Sequence, residues 1–205
     1  MKRVILTAVA VFAFGFANAQ ETKEATGEGF SKGDVFISGS AGFSSSKTGD
    51  FKANGFDFSP KVAYFVSQNI AVGVSLGVNS IKLSEGAEDL KNNTFSAGAF
   101  GRYYFTPAAK FSLFGQLGVN FNNYDSEFQL DPAGITLGEL KGNGFDVALA
   151  PGVSYFIANH FALEATFGML GYETTKPDTE GAESTDSFVL NLDMATLKLG
   201  LLYKF

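Results

Sequence analysis

The dominant feature of the sequence is an alternation of apolar residues with small or polar ones. From Lys198 to Phe205, every second residue is leucine, tyrosine or phenylalanine, and the residues between them are Lys198, Gly200, Leu202 and Lys204. A period of two places the two sets on opposite faces of a β-strand. The same pattern recurs in seven earlier stretches. The sequence therefore predicts eight strands, which begin near Val35, Phe56, Ile70, Phe95, Phe111, Phe145, Phe161 and Lys198.

The composition of the two faces distinguishes a membrane barrel from a soluble sandwich. One face is almost entirely Val, Leu, Ile, Phe and Ala, whereas the other is Gly, Ser, Ala and Asn with a few charges. A soluble sandwich would bury the apolar face. However, each stretch is long enough for a tilted strand to cross a membrane, and small residues suit the narrow interior of an eight-stranded barrel.

Aromatic residues at both ends of the apolar face favour the same interpretation, because aromatic girdles flank the apolar band of outer-membrane barrels. The predicted fold is all-β, an eight-stranded antiparallel up-and-down transmembrane β-barrel with meander order. The predicted girdle residues are Tyr64, Tyr103, Phe105, Tyr155, Tyr203 and Phe205 at one end, and Phe56, Phe95, Phe121 and Phe145 at the other.

The connections between the strands alternate in length, which predicts short periplasmic turns and longer extracellular loops. Pro60 and Pro151 interrupt two strands, and proline has no N–H for the sheet ladder. We therefore expect a bulge or locally broken pairing at each proline. The short connections are residues 67–69, 106–109 and 158–160, and the long ones are residues 45–54, 83–92, 123–143 and 173–187.

The N-terminal region predicts export. Residues 1–19 combine a basic start, an uncharged apolar run and small residues at the end, which is typical of a secretory signal peptide. Residues 20–33 are polar and aperiodic and predict a flexible periplasmic lead-in, so the barrel domain is expected over residues 34–205. No later segment is long and apolar enough for a transmembrane helix.

Composition excludes several classes of function. The chain contains no cysteine, which rules out disulfides, thiolate metal sites and cysteine nucleophiles. It has 15 basic and 21 acidic residues and no basic run, which argues against nucleic acid as a partner. No metal site, cofactor or catalytic group is predicted. The only histidine, His160, lies in a predicted turn, where it is expected to be a turn residue rather than a catalyst.

The C-terminal strand resembles the signal by which the barrel-assembly machinery recognises bacterial outer-membrane barrels, with Lys198, Gly200, Tyr203 and Phe205 at its positions. The whole chain resembles the small OmpA/OmpX-type barrels. Its Tyr-Phe-turn hairpins, as in residues 64–71, are similar to those of barrel-only proteins of Bacteroidetes. The resemblance implies a place in the outer membrane, in contact with lipid and lipopolysaccharide. The family includes membrane-tethering proteins, adhesins, small pores and a few enzymes.

The inward parity predicts a set of charges inside the barrel, accompanied by Tyr104, Gln116 and Asn120. This set could line a conduit or gate, or its members could neutralise one another and plug the barrel, since buried charges need partners. We favour the plug, with Arg102 and Glu164 as its central pair. The predicted lumen charges are Asp57, Lys61, Arg102, Asp146, Glu164 and Lys198.

The long connections are acidic, which could indicate divalent cations that bridge lipopolysaccharide, a basic partner, or simply solvated loops. Residues 131–134 form a turn sequence between apolar positions, so the fifth and sixth strands are expected to extend as a hairpin with an edge for β-augmentation by an extracellular protein. The expected function is a non-enzymatic structural or surface-interaction barrel. The alternative is a small passive porin-like channel.

Overall fold

The computed structural model describes residues 27–86, 88–130, 135–191 and 198–205. The predicted signal peptide and residues 20–26 lie outside these ranges. The described residues form strands joined by turns, and they include no helix that could cross a membrane. The strands are β1 (Val35–Thr48), β2 (Phe51–Phe65), β3 (Ile70–Glu85), β4 (Glu88–Tyr104), β5 (Phe111–Leu130), β6 (Ile135–Phe156), β7 (Phe161–Thr166), β8 (Met169–Pro177), β9 (Thr185–Asn191) and β10 (Lys198–Lys204).

The strands close into a barrel because the first pairs with the last. β1 pairs with β2 on one side and with β10 on the other, and every pairing is antiparallel. β7 and β8 are two parts of one pass along β6, and β9 and β10 are the described parts of the final pass. The prediction of a closed eight-stranded meander barrel is confirmed.

The predicted apolar face covers the outside of the barrel. Its residues are exposed in every pass, and they form a continuous apolar band around the wall. Such a band is far larger than the apolar patches of soluble monomers, and it matches the hydrocarbon of a membrane. Exposed members of the band include Val72, Val74, Val78, Tyr103, Leu113, Leu117, Val119, Leu149, Tyr155, Leu163 and Leu201.

The two ends of the barrel differ. At one end, which we call the turn end, residues 66–69, 105–110 and 157–160 make short turns. At the other, which we call the hairpin end, most of the predicted long connections continue the strands as paired hairpins. Residues 49–50 alone join β1 to β2, and β5 pairs with β6 as far as Leu130 and Ile135. Apolar residues of these extensions, among them Phe51, Ile81 and Phe128, fall on the opposite parity from the apolar face of the wall. Of these hairpins the sequence predicts only the extension of the fifth and sixth strands, and the pairing of β5 with β6 confirms it.

Each predicted proline irregularity is present. Around Pro60, the pairing of β2 with β3 stops at Phe58 and resumes at Lys61 without a change of register. Opposite Pro151, one extra residue enters the pass between β7 and β8, where the Phe167 amide donates to the Pro151 carbonyl over 3.2 Å. The prediction of a bulge or broken pairing is confirmed, because the pairing is interrupted at Pro60 and a bulge lies opposite Pro151.

The bulge inverts the parity of the seventh pass, because a single inserted residue exchanges the two faces of a strand. Gly168, with φ of +68°, provides the backbone conformation that L-residues rarely adopt. Leu170 lies opposite Leu149 of the apolar face. The prediction that Met169 continues this face is therefore wrong.

Candidate functional site

Six aromatic side chains pack together inside the barrel at the turn end. Phe30 lies at the centre, with its ring centroid 4.7 Å from that of Phe65, 4.8 Å from Phe156 and 4.9 Å from Tyr104. Its side chain is 1% exposed. We call this group the aromatic cluster, and its members are Phe30, Phe36, Phe65, Tyr104, Phe114 and Phe156.

Phe30 reaches the cluster from the segment before the first strand. This segment, residues 27–33, is called the strap. The Phe30 amide donates to the Pro107 carbonyl over 2.7 Å, and the Gly33 amide donates to the Phe65 carbonyl over 2.9 Å. For residues 27–33 the prediction of a flexible lead-in is wrong, because burial of Phe30 and these hydrogen bonds fix the strap in the barrel mouth. Residues 20–26 lie outside the described ranges.

Lys204 of the C-terminal strand fastens the strap from the other side of the mouth. Its ammonium donates to the carbonyls of Gly29 and Gly27, over 2.6 Å and 3.1 Å, and lies 4.0 Å from the Asp34 carboxylate. The Lys204 side chain is 2% exposed. At the surface, Lys110 pairs with Glu28 over 2.8 Å. The strap is thus bound to the turn of residues 105–110, to the end of β2 and to the C-terminal strand.

Gly29 allows the strap to approach the turn of residues 106–109 closely. Its φ is +103°, and a Cβ built on it would lie 2.5 Å from the Ala108 carbonyl oxygen. No other residue can adopt this backbone conformation and fit the space without strain. The glycines of the strap are therefore required by its docked conformation and do not indicate flexibility.

A buried ion pair crosses the lumen next to the aromatic cluster. Arg102 of β4 pairs with Glu164 of β7 over 2.5 Å, and their side chains are 0% and 8% exposed. Arg102 also donates to Gln116 Oε1 over 2.8 Å and 3.2 Å and to the Tyr104 hydroxyl over 2.8 Å. The guanidinium lies 4.0 Å from the centre of the Phe114 ring. The charge of Arg102 is therefore compensated without water, as burial requires.

Asp146 occupies a different environment, further toward the hairpin end. Its carboxylate accepts hydrogen bonds from the side-chain amides of Asn120 and Asn122, over 2.9 Å and 2.8 Å. Ser96 donates to the Asn122 oxygen over 2.6 Å. Among the described residues, Asp146 has no ion-pair partner. This part of the lumen is held by neutral polar side chains.

The remaining predicted charges lie around a cavity of about 230 Å³ in the lumen. Lys198 and Asp57 are 4.0 Å apart, and the Lys198 side chain is 61% exposed. Lys61 has no ion pair or hydrogen bond within the described residues. The structure therefore pairs Arg102 with Glu164, brings Asp57 near Lys198, and leaves Lys61 and Asp146 outside any ion pair. The other lining residues include Ser59, Ser75, Asn79, Ser96, Phe100, Gln116 and Asn120.

A family model described as an outer membrane protein beta-barrel domain matches residues 6–205. The chain belongs to this family. It is accordingly an integral barrel of the cell outer membrane, of the OmpA/OmpX-like kind. In this architecture short turns face the periplasm and longer hairpins face outward, so the turn end is periplasmic and the hairpin end is extracellular.

Solved structures show the same fold. OprG from Pseudomonas aeruginosa is similar with a TM-score of 0.53 and 17% identity, covering 86% of this chain and 98% of that one. A major outer membrane protein from Thermus thermophilus is similar with a TM-score of 0.50 and 13% identity, covering 84% of this chain and 98% of that one. A comparison with curated proteins finds no match. Similarity to Bacteroidetes barrels stays a prediction.

The C-terminal strand of this outer-membrane barrel has the predicted signal residues on both faces. Tyr203 and Phe205 pack edge to face, with ring centroids 5.0 Å apart. Gly200 pairs with Ser40 of the first strand and with Glu164 of β7. His160 lies in a periplasmic turn, where its Nδ1 is 2.7 Å from the Lys204 carbonyl oxygen. The described residues contain no group of three or more metal-binding side chains.

The aromatic cluster and Lys204 were missed by reasoning from the sequence. A signal for the cluster is present, because large apolar residues occupy the inward parity next to the short turns of the outer-membrane barrel. Phe65, Phe114 and Phe156 each lie within four residues of such a turn. Phe30 has no such signal, since no periodic pattern surrounds it.

Proposed function

We propose that this protein is a non-conducting barrel of the outer membrane, with a structural or surface-interaction role carried by its extracellular hairpins and with no catalytic activity. The observation that carries the proposal is the layer formed by the strap, the aromatic cluster and the ion pair of Arg102 with Glu164. The interior of an eight-stranded barrel is barely wide enough for its own side chains. An ion could cross only by displacing Phe30 and by separating a buried ion pair.

The cost of such a passage supports a closed barrel. Separating a buried pair leaves an uncompensated charge, at a cost of about 3–5 kcal/mol. Displacing Phe30 removes an aromatic ring that is 1% exposed from contact with its neighbours. The two obstacles lie one after the other along the lumen, since Tyr104 belongs to the cluster and its hydroxyl oxygen also accepts a hydrogen bond from Arg102. Both must yield for a continuous water path.

The extracellular hairpins support a role in surface interaction. Side-chain pairs hold them, including Lys82 with Asp89 over 2.6 Å and Asn143 with Asp178 over 3.0 Å. A surface that is ordered before binding loses less conformational entropy when a partner binds. Lipopolysaccharide and an extracellular protein are the partners that we propose for it. The C-terminal strand is proposed to bind the barrel-assembly machinery.

One hairpin offers an edge for a partner strand. The pairing of β6 with β8 ends at Gly142 and Pro177, whereas β6 begins at Ile135. The Lys141 carbonyl still accepts a hydrogen bond from the Asp178 amide over 2.8 Å, so within the described residues β6 pairs only with β5 as far as Leu140. An extended peptide could add to this edge by β-augmentation. Amide exchange of residues 135–141 at random-coil rates would remove the basis for this partner mode.

A small passive channel is the alternative, and the lumen cavity of about 230 Å³ is the observation that favours it. The cavity is polar and includes both lysine and aspartate in its lining. It would become part of a pore only if the strap left the periplasmic mouth and the Arg102 side chain moved. The alternative therefore predicts ion conductance by the wild-type protein, whereas the closed barrel predicts none.

Planar-bilayer conductance of the refolded mature chain distinguishes the two functions. We expect a silent wild type, brief openings in Glu164→Ala and in Phe30→Ala as the remaining obstacle fluctuates, and the largest conductance when the two substitutions are combined. Phe43→Ala is the matched control for Phe30→Ala, because Phe43 is 83% exposed on the outside of the barrel. Steady conductance in the wild type would make the protein a pore. Silence in every variant, the double variant included, would mean that other side chains close the lumen.

A further inference from the structure

Lys61 is a partly buried cation of the lumen without a direct partner in the part of the chain that the structure describes. It lies on β2 and faces the lumen, between the ion pair of Arg102 with Glu164 and the looser pair of Asp57 with Lys198. Within the described residues it forms no ion pair and no hydrogen bond. A charge removed from bulk water is costly unless a counter-charge or hydrogen-bond acceptor accompanies it. An acceptor beside the Lys61 ammonium would therefore be favourable.

Two neutral side chains that line the cavity offer unused donors, and Asp57, the carboxylate of the lining, lies 4.0 Å from Lys198. Gln116 Oε1 already accepts two hydrogen bonds from Arg102, and Asn120 Oδ1 already accepts one from Ser75. The Gln116 amide nitrogen and the Ser59 hydroxyl have no partner within the described residues. Both residues line the same cavity as Lys61. Three donors around one space are complementary to the oxygens of an anion.

We propose that this cavity binds a small oxyanion, a carboxylate or a phosphate, with Lys61 as its principal contact. The volume of about 230 Å³ suits a molecule of that size. Phe100 and the neighbouring Arg102 form the periplasmic floor, and Asp57 and Lys198 lie at the opposite rim. The anion thus enters from the extracellular side. Asp57 at the rim disfavours large polyanions, because its carboxylate repels them.

The inference rests on the proposed function in one respect. If the periplasmic mouth is closed, the cavity is a binding site open only to the extracellular side, whereas in a pore an anion in the cavity would be in transit. Binding and conductance are therefore measured on the same preparations. Binding without conductance supports both statements. Binding with conductance supports the anion site and overturns the non-conducting barrel, so the two failures are distinguishable.

The test titrates the refolded mature chain in detergent micelles with inorganic phosphate and, separately, with acetate, by calorimetry and by ³¹P or ¹³C relaxation of the anion. Lys61→Met should weaken binding about tenfold or more, the loss expected for one charge-assisted hydrogen bond. Lys61→Arg should retain binding. Lys52→Met is the matched control, because Lys52 lies on the same strand but at the exposed hairpin end.

Heat-dependent gel migration checks that each variant is a folded barrel. Binding of either anion that depends on Lys61 and not on Lys52 supports the proposal, and the probe that binds identifies the class of oxyanion. The proposal is overturned if neither anion binds the wild type. It is equally overturned if Lys61→Met binds as the wild type does, since the contact would then be an adventitious one elsewhere on the surface.

Discussion

The two halves of the lumen are built from the same eight passes, but they satisfy their polar groups differently. In the periplasmic half, Arg102 is fully buried and every partner it has is a protein side chain. In the extracellular half, Asp146 is held by amides and Lys61 faces a cavity. A barrel of one width can therefore contain a dry layer and a wet layer. The dry layer is where closure is expected, and the wet layer is where a ligand has room.

Large side chains account for this difference. Phenylalanines fill the periplasmic half and exclude water from around Arg102, so the guanidinium needs Glu164 as well as its neutral partners. Glycine and serine line much of the extracellular half, and they leave space that solvent can enter. Substitutions of buried charged or aromatic residues in the dry layer should therefore lower the free energy of unfolding strongly. Substitutions of residues that line the cavity in the wet layer should lower it only slightly.

The largest effect is expected for Glu164→Ala. It leaves the Arg102 charge buried without its counter-ion, so the free energy of unfolding should fall by about 3–5 kcal/mol. Urea unfolding in phospholipid vesicles measures it. The matched control is Asp57→Asn, which breaks the looser pair in the wet layer and should cost less than about 1 kcal/mol. Equal losses in the two variants would contradict the distinction between the layers.

Phe30→Ala should follow, with a loss of about 3 kcal/mol, because it empties the centre of the aromatic cluster. The strap should then leave the barrel mouth. Amide exchange of Phe30 and Gly33, whose hydrogen bonds fix the strap, should rise toward that of an unstructured segment. Phe43→Ala should change neither quantity. Slow exchange in Phe30→Ala would show that backbone contacts alone hold the strap.

Gly29→Ala tests the close approach of the strap separately from its aromatic anchor. The added Cβ would meet the Ala108 carbonyl, and the positive φ adds strain, for a combined cost of about 1–3 kcal/mol. Gly27→Ala is the control, since Gly27 also has positive φ but no atom within 4 Å of the added Cβ. Limited proteolysis of the strap should therefore be faster in Gly29→Ala than in Gly27→Ala. Identical rates would mean that contact with Ala108 contributes nothing.

The sequence was sufficient for the wall of the barrel and for part of its interior. Alternation in eight stretches identifies the lipid-facing residues, because apolar residues must recur at every second position of a strand that has one face in hydrocarbon. The same parity places Arg102 and Glu164 in the lumen, and they lie within ion-pair distance. Their pairing depends on the barrel register, which brings β4 and β7 together across the lumen.

Other features could not be read from periodicity. The strap has no repeat, and its glycines and charges are typical of a mobile segment, although Phe30 is buried. The bulge opposite Pro151 exchanges the faces of Met169 and Leu170, and a single inserted residue leaves no sign in composition. In most of the hairpin extensions the apolar residues do not continue the alternation of the wall, as Phe51 and Ile81 show. In each case the structure depends on long-range pairing that a local pattern does not contain.

The smallest effect is expected from pH at the extracellular hairpins. The hydrogen bond from Lys82 lowers the pKa of Asp89, and a hydrogen bond from Ser84 adds to it. A carboxyl group whose folded pKa is lowered stabilises the fold at pH values above its unfolded pKa of about 3.9, and that stabilisation is lost as the pH falls through the lower folded pKa.

Asp89→Asn should therefore be less stable than the wild type near neutral pH and should approach it in acid, as measured by urea unfolding at a series of pH values. Lys82→Met should reproduce this behaviour, because it removes the same hydrogen bond from the other side. A difference from the wild type that is constant with pH would assign the contribution of Asp89 to packing rather than to its charge.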